Sequence, residues 1–288
     1  MDILGRCSIK FLQKFYGTPA QDVHSPLLSM YEILQVSLDN GIAIVTINRE
    51  KALNALNTKT MLELQDFFGT AAPQIEGLKG IILTGAGEKA FVAGADITEF
   101  KDIDAEKGAF FSKRGQDIFA LIERFPKPVV AAVNGFALGG GCELAMACHL
   151  RVATENARFG QPEVNLGIIP GYGGTQRLVQ YIGKTKALEL MMTAEVFGAQ
   201  DALQWGLVNY VVPFGQHLDK AKELIEKIAA KAPVAIAKVI ESVNAYFAEG
   251  VEGFGFEVRA FGESCATEDF TEGAAAFVEK RKPAFKGK

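Results

Sequence analysis

Asn134-Gly135-Phe136-Ala137-Leu138-Gly139-Gly140-Gly141-Cys142-Glu143-Leu144 stands between the apolar run Val129–Val133 and Ala145-Met146-Ala147. The run before it reads as a buried strand and the residues after it as a helix, so three consecutive glycines fall at a strand-to-helix junction. Glycines there let backbone N–H groups face a ligand, and the helix dipole adds partial positive charge. Such N–H groups suit a developing oxyanion. Glu143 falls in the first helical turn among apolar residues. A first-turn acid can merely complement the dipole. The glycine triplet and apolar flanks favour instead a buried carboxyl with a raised pKa, suited to proton transfer near neutral pH.

On either side of this junction, strands and helices alternate. Glu32–Leu38 and Ile42–Asn48 read as two strands joined by Asp39-Asn40-Gly41, a hairpin signal because Asn-Gly supplies the positive φ angles of a tight turn. Thr58–Ile75 has a helical apolar rhythm, Gly80–Thr84 a short buried strand, Asp102–Arg124 a long helix ended by Pro126 and Pro128, and His149–Ala153 another strand. That alternation predicts an α/β core with crossover connections. Beyond it, Thr175–Ile182, Lys184–Met192 and Ala199–Trp205 read as short helices and Val208–Val212 as a strand. Gln216–Lys231, Val234–Glu249, Gly253–Cys265 and Phe270–Lys280 then read as helices to the end. The organisation expected is an extension over 1–29, a core over 30–215 and a helical region over 216–288.

The chain has 288 residues, 49% hydrophobic and 22% charged, with a formal net charge of −4. This is a globular composition with enough material for a sizeable core. The acidic balance argues against a surface built to hold nucleic-acid phosphates. Four cysteines without a C-x-x-C pair, and three scattered histidines, argue against a zinc site or a disulfide framework and for a reducing compartment. The longest nearly apolar run, Val129–Ala147, contains Asn134, Glu143 and four glycines, so it is a poor membrane span. Residues 1–29 carry Arg6, Lys10 and Lys14 among apolar residues. They read as an extension upstream of a start at Met30, or as an organelle transit peptide. The location expected is therefore cytoplasmic in a bacterium, or the mitochondrial matrix if 1–29 is a transit peptide.

Three local motifs are decoys. Gly85-Ala86-Gly87-Glu88-Lys89-Ala90 fits G-x-G-x-x-A but opens no helix and has no acidic partner downstream, so it reads as a loop. Gly183-Lys184-Thr185 lacks the first glycine of a phosphate loop, which would fall at Leu178. Gly262-Glu263-Ser264-Cys265-Ala266 lacks the last glycine and the preceding strand of a nucleophile elbow.

A second candidate segment runs from Ala157 to Gly171. It is rich in Gly and Pro yet strongly apolar, and Glu163 is its only acid. A loop this apolar is expected to be buried, and a buried lone carboxylate needs a reason. The alternatives for Glu163 are a surface position or an ion pair with Arg158 or Arg177. Two carboxyl groups beside a backbone oxyanion site suit addition of water to an activated double bond, or its reverse. One activates water, the other exchanges a proton with carbon, and the N–H pair stabilises an enolate oxygen.

At these residues the chain resembles the crotonase (enoyl-CoA hydratase/isomerase) superfamily, and within it the short-chain enoyl-CoA hydratases. Val133–Met146, Phe159–Leu178 and Lys89–Ile97 carry the resemblance, which extends from about Tyr31 to Lys288. It implies a spiral of ββα units with carboxy-terminal helices that make trimers, usually paired into hexamers. It further implies an acyl-CoA substrate, coenzyme A entering as part of that substrate with no separate cofactor, a role in fatty-acid metabolism (β-oxidation), and an oxyanion hole from the N–H groups of Ala95 and Gly140. Glu143 and Glu163 would be the catalytic carboxylates, the first activating water and the second supplying the proton to C2, with Gln161 supporting the site. Ala93, Gly94, Asp96 and Ile97 would line the adenine pocket. Phe261, Phe277 and Lys280 would help cover the CoA moiety, in the family often from a neighbouring subunit. Thr98 departs from the lysine that several hydratases have near the CoA phosphates. On their own, Phe261 and Phe277 read as helix core, Lys280 as solvated surface, and Tyr172 as either an acyl-pocket wall or a turn aromatic. Related isomerases lack the Glu143-like acid, which favours a hydratase here. RNA binding is disfavoured because Asp219–Lys231 mixes Lys with Glu223 and Glu226. No nucleic acid, membrane or metal is expected to take part.

Overall fold

The computed structural model describes residues 31–288, and the expectations placed on 1–29 lie outside them. Among the described residues, ten strands form two sheets. The larger contains β1 (Leu34–Asp39), β2 (Ile42–Ile47), β3 (Gly80–Gly85), β5 (Val129–Val133), β7 (Leu150–Thr154) and β10 (Tyr210–Val212), in the order β1-β2-β3-β5-β7-β10. The smaller contains β4 (Ala90–Val92), β6 (Phe136–Leu138), β8 (Arg158–Gly160) and β9 (Phe197–Gly198), in that order. The β1–β2 pair is antiparallel and β2 to β10 are parallel. Asn40 and Gly41 adopt φ of 49° and 79°, so the turn chemistry of Asn-Gly sets the hairpin.

The central parallel strands β3 and β5 are buried on both faces, which is why they are apolar without alternation. On β5, Val129, Ala131 and Val133 face the main core, while Val130 and Ala132 face the opposite side. Covering that opposite side is α7 (His217–Ala229), through Ala221, Leu224 and Ile225. The main core is packed by α1 (Thr58–Asp66), α2 (Ala105–Glu123) and α3 (Gly140–Ala147) with α4 (Gly174–Ile182), α5 (Lys184–Thr193) and α6 (Ala199–Gln204). The helices α8 (Pro233–Tyr246), α9 (Gly253–Cys265) and α10 (Glu268–Val278) complete the chain, with α9 packed on α8 and α10 on α9.

Two expectations about burial are corrected. Phe261 and Phe277 are not helix core: they are 71% and 85% exposed. The loop after Pro162 is not buried either, since Val164, Leu166, Ile168 and Ile169 all point outward and Ile169 is 70% exposed. A helical rhythm marks an apolar face but does not say whether the same chain covers it. No helix among the described residues is long and apolar enough to cross a membrane.

Candidate active site

The small sheet turns β6 directly into α3 through Gly139. That residue has φ 48° and ψ −123°, a conformation open to glycine. Gly141 is equally constrained, because any Cβ there would overlap the Val92 carbonyl. The third glycine therefore allows close packing and the first allows the turn. One helical turn on, Glu143 is carried into the interior and is 2% exposed. Its Oε1 accepts N–H bonds from Tyr172 at 2.8 Å and Gly174 at 2.7 Å, placing the carboxyl at the amino end of α4. Burial pushes its pKa up to about 7, and the charge of Glu163 adds to the rise. The two N–H bonds and the Arg177 guanidinium oppose it.

Glu163 opens a short 3-10 helix, Glu163–Leu166. Its carboxyl turns inward while its neighbours turn outward, and a Cβ built on Gly139 would stand 2.5 Å from Glu163 Oε1. Burial lifts this carboxyl too, to about 7. Gln161 is buried, and with its amide turned so that the nitrogen faces Glu163 it donates to the two carboxylate oxygens at 3.2 and 3.1 Å. The Gln161 amide and Glu143 Oε1 flank the same glycine, lying 2.8 and 2.9 Å from where a Cβ of Gly174 would be. The structure thus brings Glu143, Glu163 and Gln161 together. Glu163 pairs with neither Arg158 nor Arg177: Arg177 takes Glu123 instead, and Arg158 reaches only the Ala157 carbonyl.

Ala95 borders the same space. Leu56 donates to Gly94 O at 2.9 Å and accepts from Asp96 N at 2.8 Å. In such a bridge the N–H of the intervening residue points away from Leu56. A Cβ on Gly140 would lie 3.5 Å from Ala95 N and 3.5 Å from the Tyr172 ring. The backbone nitrogen of Ala95 and the first residue of α3 therefore lie close together, beside two carboxyls with raised pKa values. That arrangement can hold an oxyanion and move protons next to it.

The other candidates divide. Tyr172 is both a turn residue and a wall: its N–H holds Glu143, while its ring meets Phe119 edge-on at 5.6 Å and occupies the space where Gly115 has no side chain. Asp96 spends its carboxylate on Arg49 at 2.8 Å and on Thr98, and both hold its pKa below the ordinary value. The N–H of Ala93 is taken by Leu53 O, Gly94 has φ 104°, and Ile97 is exposed. Phe261, Phe277 and Lys280 lie on or after α9 and α10, and the structure does not bring them to the two carboxyls within this chain.

Sequence reading missed the residues that hold the loops. Asn134 binds Gly85 O and Gly87 O at 3.0 and 2.8 Å, and Asn54 binds Ala86 O and Ala90 O at 2.9 and 2.8 Å. Buried Arg151 satisfies Leu207 O, Ala145 O and Cys148 O, tying down the carboxy end of α3. A polar residue at the end of an apolar strand, as Asn134 is, was the one local signal available. Among the described residues, no cluster of three or more His, Cys, Asp or Glu side chains is placed to hold a metal ion.

Fold and pocket together define a crotonase-type protein. A sequence model of the enoyl-CoA hydratase/isomerase family matches residues 37–288, and the chain belongs to that family. It is 50% identical over 245 residues to the short-chain-enoyl-CoA hydratase of Clostridium acetobutylicum, covering 85% of this chain and 94% of the relative. It is 45% identical over 256 residues to the crotonyl-CoA hydratase of Syntrophomonas wolfei, covering 88% and 98%. The crystal structure of an enoyl-CoA hydratase from Bacillus anthracis superposes with a TM-score of 0.83 at 39% identity, covering 89% of this chain and all of that one.

Proposed function

We propose that this protein is a hydro-lyase that adds water reversibly to a trans-2-enoyl-CoA, giving the 3-hydroxyacyl-CoA. One observation carries the mechanism: a buried carboxyl, Glu143, and a half-buried one, Glu163, both with raised pKa values, meet beside Ala95 N and the start of α3. The thioester oxygen accepts from the N–H groups of Ala95 and Gly140. Glu143 takes a proton from water as its oxygen bonds to C3. The double-bond electrons move toward C1 and form an enolate, which the two N–H groups stabilise. Glu163 gives its proton to C2, so the elements of one water are added and the proton balance is restored between the two carboxyls.

The names of the relatives support a short acyl chain. Coenzyme A arrives as part of the substrate, and Ala93, Gly94, Asp96 and Ile97 line its adenine end. Exposed apolar residues on α9, α10 and the loop after Pro162 support assembly as a homotrimer or a dimer of trimers, in which Phe261, Phe277 and Lys280 cover a neighbour's CoA. Bacterial relatives support a cytoplasmic address.

The test is loss of enoyl-thioester ultraviolet absorbance with crotonyl-CoA, repeated across longer enoyl chains. Isomerisation of a 3-enoyl-CoA without hydration would establish the isomerase reading. Salt-sensitive RNA affinity without turnover would establish an RNA-binding homologue.

A further inference from the structure

Both N–H bonds to Glu143 fall on one oxygen, Oε1, and they come from the two ends of the turn Tyr172-Gly173-Gly174. That turn is itself held from behind. Arg177 Nη1 donates to the Tyr172 carbonyl at 2.9 Å, and its guanidinium lies where any side chain on Gly173 (φ 104°) would be. The Arg177 side chain is 9% exposed. Its Nε and Nη2 fork onto the carboxylate of Glu123 at 3.0 and 2.9 Å. Glu123, in turn, is fixed at the end of α2. Its main-chain oxygen accepts from His149 Nε2 at 3.0 Å and from Asn244 Nδ2 at 2.8 Å. Because His149 Nδ1 accepts from Val129 N, the ring proton sits on Nε2. An unbroken series of bonds thus runs from α8 through α2 and α4 to the carboxyl of α3.

We propose that Arg177 and Glu123 are positioning residues: their two-pronged ion pair fixes the 172–174 turn so that both its N–H groups engage Glu143 Oε1 and leave Oε2 for the reacting water. The inference deepens the hydratase reading and rests on it. A planar fork suits this task because it meets a carboxylate and a carbonyl in fixed directions, which an ammonium cannot do. The pair also sets a charge. The groups facing Glu143 are Glu163 from the 3-10 helix, the Cys142 thiol from α3, the Tyr172 phenol from the turn and Arg177 from α4. Arg177 is the one cation among them, and Glu123 partly neutralises it.

The experiment measures kcat and KM against pH for crotonyl-CoA hydration by wild type, Arg177→Met, Arg177→Lys and Glu123→Gln. Loss of the fork lowers kcat in both Arg177 variants by about 10–100-fold, the scale of a small misplacement, with little change in KM. The acid limb of kcat/KM moves to higher pH in Arg177→Met, stays in place in Arg177→Lys, and moves to lower pH in Glu123→Gln, the shifts being about half a unit to one unit. Limbs that move the same way in Arg177→Met and Glu123→Gln, or an unmoved limb with full kcat in folded Arg177→Met, overturn the proposal. If Arg177→Met does not fold, Glu123→Gln decides: an acid limb that stays or rises overturns it. Inert wild type overturns the hydratase reading itself, whereas active wild type with indifferent variants overturns only the positioning role.

Discussion

Glu163 rests its carboxylate over Gly139: a Cβ on that glycine would lie 2.5 Å from Glu163 Oε1. One residue therefore both turns the chain into α3 and leaves room for the second acid. Gly139→Ala brings two costs at once. The strained φ of 48° destabilises the fold by about 1–3 kcal/mol, and the methyl group displaces Glu163. Hydration should fall about 10²-fold or more, the scale of a lost general acid. A soluble alanine variant with wild-type kcat would remove Glu163 from the mechanism or Gly139 from its support.

Glu143→Gln and Glu163→Gln should each lower kcat by about 10²–10⁴-fold while the fold persists. The substitution at 143 is conservative in hydrogen bonding, since an amide oxygen can still accept from Tyr172 and Gly174. Steady-state hydration kinetics with circular dichroism as the folding control decide this. Near-wild-type turnover by either variant would release that residue from its assignment.

Stability should depend on pH with a definite sign. Folding raises the Glu143 pKa from 4.5 to about 7, so the folded state holds a proton that the unfolded chain has released. Stability from this group is fullest below the unfolded pKa and is lost as pH rises through that window. Glu143→Gln escapes the loss. Its stability relative to wild type should therefore climb between about pH 5 and about pH 8, by at most on the order of 3 kcal/mol. Denaturant titrations at the two pH values measure it, and a flat difference would mean that the carboxyl is not held neutral.

Where the signal was local, the sequence was readable. Asn40-Gly41 gave the hairpin because turn chemistry is set by two residues, and Gly253–Cys265 is the helix its apolar rhythm predicts. The smaller sheet was not readable, because its strands are two or three residues long and sit among glycines. The two candidate acids stood out as lone carboxyls in apolar segments. Their supports did not: Arg177 and Glu123 lie 54 positions apart, and no local pattern joins them. Burial was misjudged at Ile169, Phe261 and Phe277 for a related reason, since an apolar face carries no mark of what covers it.

Tyr172 and Gly115 make a complementary pair on opposite elements, the aromatic ring lying where any larger residue at 115 would place its Cβ. Gly115→Ala must push the ring away from α2, and with it the turn whose N–H groups hold Glu143. Overpacking of this kind typically costs about 1–3 kcal/mol. The expected outcome is a lower melting temperature together with a fall in kcat, because the same residue supplies both the packing surface and the hydrogen bond. A variant that loses stability but keeps full kcat would show that the ring moves independently of the turn.

Proline at position 140 tests the oxyanion pocket. Gly140 is the first residue of α3, where the N–H has no partner within the helix and where proline is tolerated. Gly140→Pro therefore deletes one backbone donor while sparing the helix's internal hydrogen bonds. Loss of a single oxyanion donor should cost at least ~10²-fold in kcat. The effect should fall on kcat more than on KM, because the N–H bond to the thioester oxygen strengthens as charge builds on it. A folded, fully active proline variant would mean that the developing charge is held elsewhere, and the assignment of Ala95 as the second donor would fall with it.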